Sequence, residues 1–153
     1  MMVTDFSASE DQAIKSAALS LLARREHSKQ ELLSKLSRKF PDADKVERQL
    51  ANLAEANLQS EERFVELFIR SKKGQGKGPK FIKQELRQRG VSEYLIAAYI
   101  YEEDEDWFEL ADEVYTKKFA NTPIEDTKEK ARRVRFMVSR GFTPDSVFRL
   151  FSN

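Results

Sequence analysis

The chain has 153 residues, of which 35% are charged and 10% aromatic, a composition typical of one well-solvated globular domain rather than of a disordered segment. It contains no cysteine, which excludes disulfide bonds and thiolate catalysis and agrees with a reducing compartment. No apolar run reaches membrane-spanning length, and the first residues lack the basic start and apolar segment of a signal peptide, so we expect a soluble cytoplasmic protein.

The net charge of +1 conceals blocks of one sign. Residues 70–89 include eight bases and one acid, residues 102–113 include eight acids and no base, and residues 128–140 include six bases and one acid. A near-neutral average built from such blocks predicts an oriented electric field and charged partners at particular faces.

Helical periodicity runs through almost the whole chain. Apolar residues recur at spacings of three and four, and no run alternates with the two-residue period of a half-buried strand. The clearest stripes are Ile14, Ala17, Ala18, Leu21 and Leu22, then Val46, Leu50, Leu53 and Ala54, then Trp107, Leu110, Ala111 and Val114. We therefore predict an all-α fold, in which Trp107, Phe108 and Tyr115 are core side chains rather than platforms for base stacking.

Capping residues mark the helix boundaries. Ser28 followed by Glu31 is a capping box, and Pro79 suits the first position of a helix. Gly90 and Gly141 suit the left-handed residue that follows a last turn. Further predicted caps are Ser92 and Thr143, the latter with Pro144 at the next first position.

An internal repeat of about 50 residues follows these signals. Ile82 lies 50 residues after Leu32, and Gly141 lies 51 residues after Gly90. Each copy has an amphipathic helix, a polar or glycine-containing turn, a basic helix, a tight turn and a third helix, which is the pattern of a helical array. We predict about three three-helix units and nine helices, at approximately 12–57, 60–104 and 106–152.

The stretch GQGKGPK, residues 74–80, contains three of the five glycines and could suggest a phosphate site. A P-loop or a dinucleotide fingerprint needs a preceding strand, and a P-loop also needs a Lys-Ser or Lys-Thr pair. Here the preceding residues are helical and neither pair follows Gly78, so we expect no nucleotide and no cofactor. Two interpretations stay open, a flexible turn before Pro79 and a mobile basic contact for a phosphate or a carboxylate.

Two other features could suggest a metal site or a catalytic group. The acidic run EEDED, residues 102–106, would point its carboxylates around a helix axis instead of converging on one ion, and it more simply complements the dipole of a helix beginning near Asp106. His27 is the only histidine and directly precedes the Ser28 cap, so we assign it a structural role. Without a positioned nucleophile, metal cluster or cofactor cradle, we expect no enzyme.

The middle helix of each predicted unit is basic. Three such helices in register favour a continuous positive strip, which a polyanion or an acidic groove would recognise, over three unrelated solvated faces. Lys29, Lys35, Arg38 and Lys39 form the first, Lys80, Lys83, Arg87 and Arg89 the second, and Lys128, Lys130, Arg132, Arg133, Arg135 and Arg140 the third.

Three segments of the chain resemble the RecX regulatory family. RREHSKQELLSKL, residues 24–36, meets every position of the family's first block, R-x-H/Y-S-x-x-E-L-x-x-K-L. Residues 62–92 and 132–142 are similar to the second and third blocks, and the resemblance extends over about residues 14–151. The matching positions of these two blocks are Phe64, Gly78, Pro79, Glu85, Leu86 and Gly90, then Arg140, Gly141 and Phe142.

The resemblance implies a three-unit helical solenoid that binds the RecA recombinase. RecX-like proteins lodge in the groove of the RecA–DNA filament and suppress its ATP hydrolysis, strand exchange and coprotease activity, which implies a role in homologous recombination, DNA repair and the SOS response. Nine helices, each about 18 Å long, would form an elongated, curved array. We expect a monomer. The alternative is a helical module that acts mainly through direct phosphate contacts with single- or double-stranded DNA.

Cations of the basic helices and of the loop at 72–80 are the predicted contacts with the RecA filament, with DNA, or with both. They are Arg25, Lys35, Lys72, Lys73, Lys77, Lys80, Lys83, Arg87, Arg132, Arg133, Arg135 and Arg140. The predicted structural positions are Ser28, Glu31, Gly78, Pro79, Gly90 and Gly141.

Overall fold

The computed structural model describes the backbone of residues 2–152 and the side chains of residues 8–152. This part of the chain forms nine α-helices and no β-strand, which confirms the all-α prediction. The helices are α1 (Met2–Arg24), α2 (Lys29–Ser37), α3 (Ala43–Glu55), α4 (Glu61–Gly74), α5 (Pro79–Gln88), α6 (Glu93–Tyr99), α7 (Glu105–Phe119), α8 (Thr127–Ser139) and α9 (Pro144–Leu150). None of them combines the length and the apolar character that a membrane crossing requires.

The predicted caps lie at the observed helix ends. The Ser28 hydroxyl accepts from the Glu31 amide at 3.1 Å, and the Glu31 carboxylate accepts from the Ser28 amide at 3.1 Å, so a capping box closes the start of α2. Gly90 and Gly141, with φ of +80° and +97°, follow α5 and α8 in the left-handed conformation. Also confirmed are Pro79 as the first residue of α5 and Thr143 as the cap of α9, followed by Pro144.

The first of two compact units comprises the described residues up to Leu67 together with Arg89–Ser92. Helices α1, α2 and α3 pack on one another in this unit, because each presents an apolar stripe that the other two cover. The buried side chains are Ile14, Ala18, Leu32, Leu36, Val46, Leu50 and Leu53.

The second unit comprises Phe68–Gln88 and the described residues from Glu93 onward. Its core lies between α7, α8 and α9. In α5, which belongs to the same unit, the side chains of Ile82 and Leu86 are also buried. The members of the α7–α9 core are Ala111, Met137, Phe142 and Val147. Trp107 is buried as predicted. Tyr115 packs beside the core, 5.1 Å from the Phe119 ring and 5.5 Å from the Phe151 ring, and Phe108 lies 3.7 Å below the Arg149 guanidinium.

Candidate partner-binding site

The turn between α4 and α5, residues 75–78, uses its own amides in internal hydrogen bonds. The amides of residues 75–77 donate to carbonyls in the last turn of α4 at 2.9–3.2 Å. The amides of Gly78 and Lys80 donate to the carbonyls of Arg140 and Gly141 at 2.7 and 2.9 Å, and the proline between them has no amide hydrogen. A phosphate cradle needs amides that point at the ligand, so this turn is not one.

Arg140, at the end of α8, holds the turn from one side. Its Nη2 donates to the Gln75 carbonyl at 3.2 Å and lies 3.2 Å from where a Cβ on Gly76 would stand. Gly76 has a φ of +77°, a conformation that L side chains rarely adopt, and Val114 Cγ2 is 3.1 Å from the same position. The buried Arg140 Nε has no hydrogen-bond acceptor among the described residues.

A cleft of about 620 Å³ opens beside this turn, and we call it the turn cleft. It lies between residues 73–76, residues 110–118 of α7, and α8. Its cations are Lys73, Lys117, Lys118 and Arg140, its acid is Glu113, and its apolar side chains are Leu110, Val114 and Phe136.

Sequence reasoning missed two of these cations, Lys117 and Lys118. They stand in the last turn of α7, where basic residues ordinarily complement the helix dipole, and they follow a strongly acidic run. A basic pair separated by three residues from a run of eight acids is a local signal, but only the fold shows that it faces the turn at 74–76.

The predicted contacts on α5 form ion pairs inside the molecule. Glu102 accepts from Lys83 at 2.7 Å and pairs with Lys80 at 3.3 Å, while Arg87 pairs with Glu93 at 2.5 Å. The hydrogen bond from Lys83 holds the pKa of the Glu102 carboxyl below its ordinary value, and Lys80 adds to the effect. These pairs reduce the positive potential that α5 offers to a partner.

The predicted contacts of the first unit have different surroundings. Arg25 pairs with Glu31 at 3.1 Å, whereas the Lys35 ammonium donates to Nε2 of the buried His27 at 2.9 Å. Burial raises the pKa of the Glu31 carboxyl, but hydrogen bonds from Arg25 and from the Ser28 amide outweigh it and hold that pKa below its ordinary value. Arg25 therefore supports the capping box, in addition to being half exposed.

Arg133, one of the predicted partner contacts, is buried instead of facing solvent. Its side chain is 3% exposed, at the position of α8 that lies 51 residues after the buried Ile82 of α5. A guanidinium is tolerated there because its donors find acceptors and the Phe119 ring lies 4.8 Å away. The acceptors are Glu129 at 2.9 Å, the Tyr115 hydroxyl at 2.9 Å, and the carbonyls of Thr122 and Pro123 at 3.0 and 3.4 Å.

Glu129 also binds the neighbouring Arg132, at 2.7 and 2.9 Å. Hydrogen bonds from Arg132 and Arg133 lower the pKa of the Glu129 carboxyl to about 2. Arg135, which follows Arg133 by two residues in α8, is exposed.

Six of the twelve predicted contacts have no carboxylate partner within the described part of the chain. Lys77 lies 4.5 Å from the Phe81 ring, Lys73 lies 4.4 Å from the Trp107 ring, and Lys72 lies 5.4 Å from the Phe68 ring. The six are Lys35, Lys72, Lys73, Lys77, Arg135 and Arg140. They are the predicted cations whose charge is available to a partner.

The acidic run 102–106 is divided among separate structural tasks. Glu102 binds the α5 lysines, Asp104 caps α7 by accepting from the Asp106 amide at 3.0 Å, and Glu105 binds Arg149 at 2.8 Å. Across the described side chains, no three His, Asp or Glu groups come together in a way that could hold a metal ion.

Family models and individual relatives that match this chain all point to one protein family. The models of the first, second and third three-helix domains of RecX match residues 15–46, 60–100 and 104–151. The chain is 41% identical over 140 residues to "Regulatory protein RecX" of Pseudomonas putida, covering 92% of this chain and 90% of that protein. It is 43% identical over 136 residues to the protein of that name from Halorhodospira halophila, covering 89% and 84%. The chain belongs to the RecX family.

Solved RecX structures have the same fold. "Crystal structure of regulatory protein RecX" superposes with a TM-score of 0.80 at 22% identity, covering 97% of this chain and 76% of that one. "Crystal structure of RecX from Lactobacillus salivarius" gives a TM-score of 0.78 at 19% identity, covering 94% and 95%. The predicted tandem three-helix architecture and the RecX resemblance are thus confirmed. The unit limits 12–57, 60–104 and 106–152 stay a prediction, as do the individual contact residues.

Proposed function

We propose that this RecX family member binds the RecA–DNA filament in the cytoplasm, as a monomer, and mainly inhibits its ATP hydrolysis, strand exchange and coprotease activity. The observation that carries the proposal is membership of a family of regulatory proteins over all three of its three-helix domains. The chain would thereby act in homologous recombination, DNA repair and the SOS response.

The charges of the second unit support contact with acidic groups. Lys72, Lys73 and Lys77 lie in or beside the α4–α5 turn without a carboxylate partner among the described residues, and Arg135 is exposed on α8. Cations without internal partners attract anionic surfaces and raise the rate of association with them.

Binding alone is sufficient to inhibit. A protein that binds one conformation of a filament more tightly than another shifts the population by its difference in affinity. Inhibition of ATP hydrolysis therefore requires only tighter binding to a conformation that does not hydrolyse ATP. No catalytic group of this chain takes part in the proposed mechanism.

The proposal is tested with RecA, single-stranded DNA and ATP, by measuring steady-state hydrolysis as the chain is added. We expect the natural chain to suppress hydrolysis, and Lys72→Glu with Lys77→Glu to raise the half-inhibiting concentration by about tenfold. The matched control is Lys15→Glu with Arg48→Glu, the same change of charge at exposed positions outside the predicted contacts. A natural chain that leaves hydrolysis unchanged refutes the proposal.

The second candidate is a DNA-binding module, and exposed cations on α8 favour it. Lys128, Lys130 and Arg135 are all exposed, as a phosphate-binding face requires. Direct binding to duplex DNA would weaken with salt by about 0.9 log units per log of salt for each neutralised phosphate. A salt-independent or absent interaction with naked DNA removes this candidate.

A further inference from the structure

We infer that the turn cleft docks an acidic peptide segment that carries an apolar side chain. The inference rests on the proposed function in one respect, because the segment would belong to the protein that this chain regulates. It goes further in naming the cleft, the chemistry of the segment and the two parts of the cleft that recognise it.

The charge of the cleft selects carboxylates. Lys73, Lys117, Lys118 and Arg140 form no ion pair within the described residues, and Glu113 is the one acid that lines the cleft. The contrast with α5 is direct, because the lysines there already share the carboxylate of one glutamate. A cluster of cations without internal counter-charges favours an anionic partner.

The floor of the cleft selects an apolar group. Leu110, Val114 and Phe136 line it, and all three pack against the α7–α9 core, so their positions are fixed before a partner arrives. An apolar side chain placed there would lose contact with water and extend that core.

Three of the four cations around this floor are held in place by contacts within the protein. Lys73 lies 4.4 Å from the Trp107 ring, and Lys118 and Arg140 lie 5.3 and 5.5 Å from the Phe136 ring. Arg140 is fixed further by its hydrogen bond to the turn. Side chains that are ordered before binding lose less conformational entropy when the partner docks.

The same geometry disfavours a nucleic acid in this cleft. Single-stranded nucleic acid is held by bases that stack on aromatic rings along a basic groove. The Phe136 ring already has Lys118 and Arg140 over it and packs edge-on with Phe119 at 5.5 Å, so a base would displace a cation to stack there. The apolar floor also offers nothing to a phosphate.

The test uses the full chain and a short fluorescein-labelled peptide of aspartate and glutamate with one central leucine, followed by fluorescence anisotropy. We expect binding that weakens with salt, and a Kd that rises about tenfold in Lys117→Glu with Lys118→Glu. The matched control is Lys15→Glu with Arg48→Glu, the same change of charge at exposed positions outside the cleft and outside the predicted contacts, with a Kd within about twofold of the natural chain. Circular dichroism checks folding, and the Gln variants of Lys117 and Lys118 replace the Glu variants if these do not fold.

Two further peptides separate the parts of the cleft. A peptide of asparagine and glutamine should not bind, and a central serine should weaken binding to the natural chain. The Val114→Thr variant should weaken binding of the leucine peptide more than that of the serine peptide, because it makes the floor polar without changing its size.

The inference is overturned if the variant with Lys117→Glu and Lys118→Glu, in which the charge of the cleft is reversed, binds the acidic peptide as tightly as the natural chain does. It is also overturned if a labelled oligothymidylate, and not the peptide, responds to that reversal, because the cleft would then serve nucleic acid. Inhibition of RecA without peptide binding removes this inference and leaves the proposed function. Peptide binding in a chain that does not inhibit RecA removes the RecA assignment and leaves the cleft.

Discussion

A Cβ atom on Gly78 would lie 2.5 Å from the carbonyl carbon of Gly141, so the two backbones meet with no side chain between them. The amides of Gly78 and Lys80 donate to the carbonyls of Arg140 and Gly141. Both sets of groups lack partners within their own helices, because the first amides of α5 and the last carbonyls after α8 lie at helix ends. Each helix end therefore caps the other, and the positive end of the α5 dipole meets the negative end of the α8 dipole.

The same relationship occurs one repeat earlier with different chemistry. Ser28 stands 50 residues before Gly78 at the start of α2, and its hydroxyl donates to the Arg89 carbonyl at 2.8 Å. Gly90 comes so close to the first turn of α2 that a Cβ there would be 2.6 Å from the Gln30 Cβ. In both places the start of one middle helix contacts the glycine-containing turn that follows the next middle helix in the chain.

Substitution Gly78→Ala should therefore destabilise the protein by about 1–3 kcal/mol, because the backbones must separate to admit a methyl group. Gly74→Ala is the matched control, since a Cβ at that position has nothing within 4 Å and the residue ends a helix. We expect the control to be neutral or stabilising by up to about 1 kcal/mol. Urea unfolding of the two variants measures the difference, and equal stability would show that the Gly78–Gly141 contact is dispensable.

Truncation of Arg133 tests its structural role. Arg133→Ala removes a buried side chain and leaves the Tyr115 hydroxyl and the Thr122 carbonyl without their donor. We expect a loss in Tm of about 5 °C or more, against less than about 2 °C for Arg132→Ala, whose side chain is 55% exposed. Differential scanning calorimetry provides both values. A larger loss for Arg132→Ala would contradict the assignment.

Local signals account for what could be predicted from the sequence. The Ser28–Glu31 box and the glycines after α5 and α8 act within a few residues, so their chemistry is visible without the fold. The contact of Gly78 with Gly141 spans 63 residues of sequence, and only the packing of α5 on α8 creates it.

The sequence could not show which of the charged side chains are exposed, which form ion pairs and which are buried. Arg133 belongs to a run of cations that looks solvated, and its acceptors at 115, 122 and 123 gather around it only when α8 packs on α7. The sequence alone suggests that Lys80 and Lys83 are available to a partner. In the structure both pair with Glu102, which follows α6 in the chain. Whether a cation is exposed, paired or buried depends on tertiary contacts, which periodicity does not report.

The unfolding free energy should depend on pH through His27. Burial lowers its pKa, and a hydrogen bond to the Arg25 carbonyl opposes this, while Arg25 and Lys35 lower it further. With Nδ1 donating to the Arg25 carbonyl, Nε2 accepts from Lys35, a bond that a protonated ring would lose. The folded state thus binds a proton less readily than the unfolded state, so the stability is complete above pH 6.5 and falls as the pH decreases toward the lowered pKa.

We expect a slope between pH 7 and pH 5 of no more than one proton, about 1.4 kcal/mol per pH unit. His27 is the only histidine and the chain has no cysteine, so no other side chain has an ordinary pKa in this interval. His27→Gln should therefore flatten the profile, as measured by urea unfolding at several pH values. A variant with the natural slope would assign the proton uptake to another group.

The ion pair between Lys83 and Glu102 should contribute measurably to the unfolding free energy. A double-mutant cycle of Lys83→Met and Glu102→Gln should give a coupling of about 0.5–1 kcal/mol, because the two side chains are 21% and 25% exposed and lie 2.7 Å apart. The corresponding cycle with Lys80, which is 53% exposed and 3.3 Å away, should give less.

Glu102→Gln also leaves both lysines without their carboxylate, which raises the positive potential of α5. If α5 contacts the filament as the sequence predicts, this variant should inhibit RecA at a concentration about two- to fivefold lower than the natural chain. The effect should shrink at high salt, since screening weakens exposed charges most. Unchanged inhibition, with the stability coupling present, would limit the α5 lysines to holding Glu102 and confine the partner contact to the cations that have no internal carboxylate.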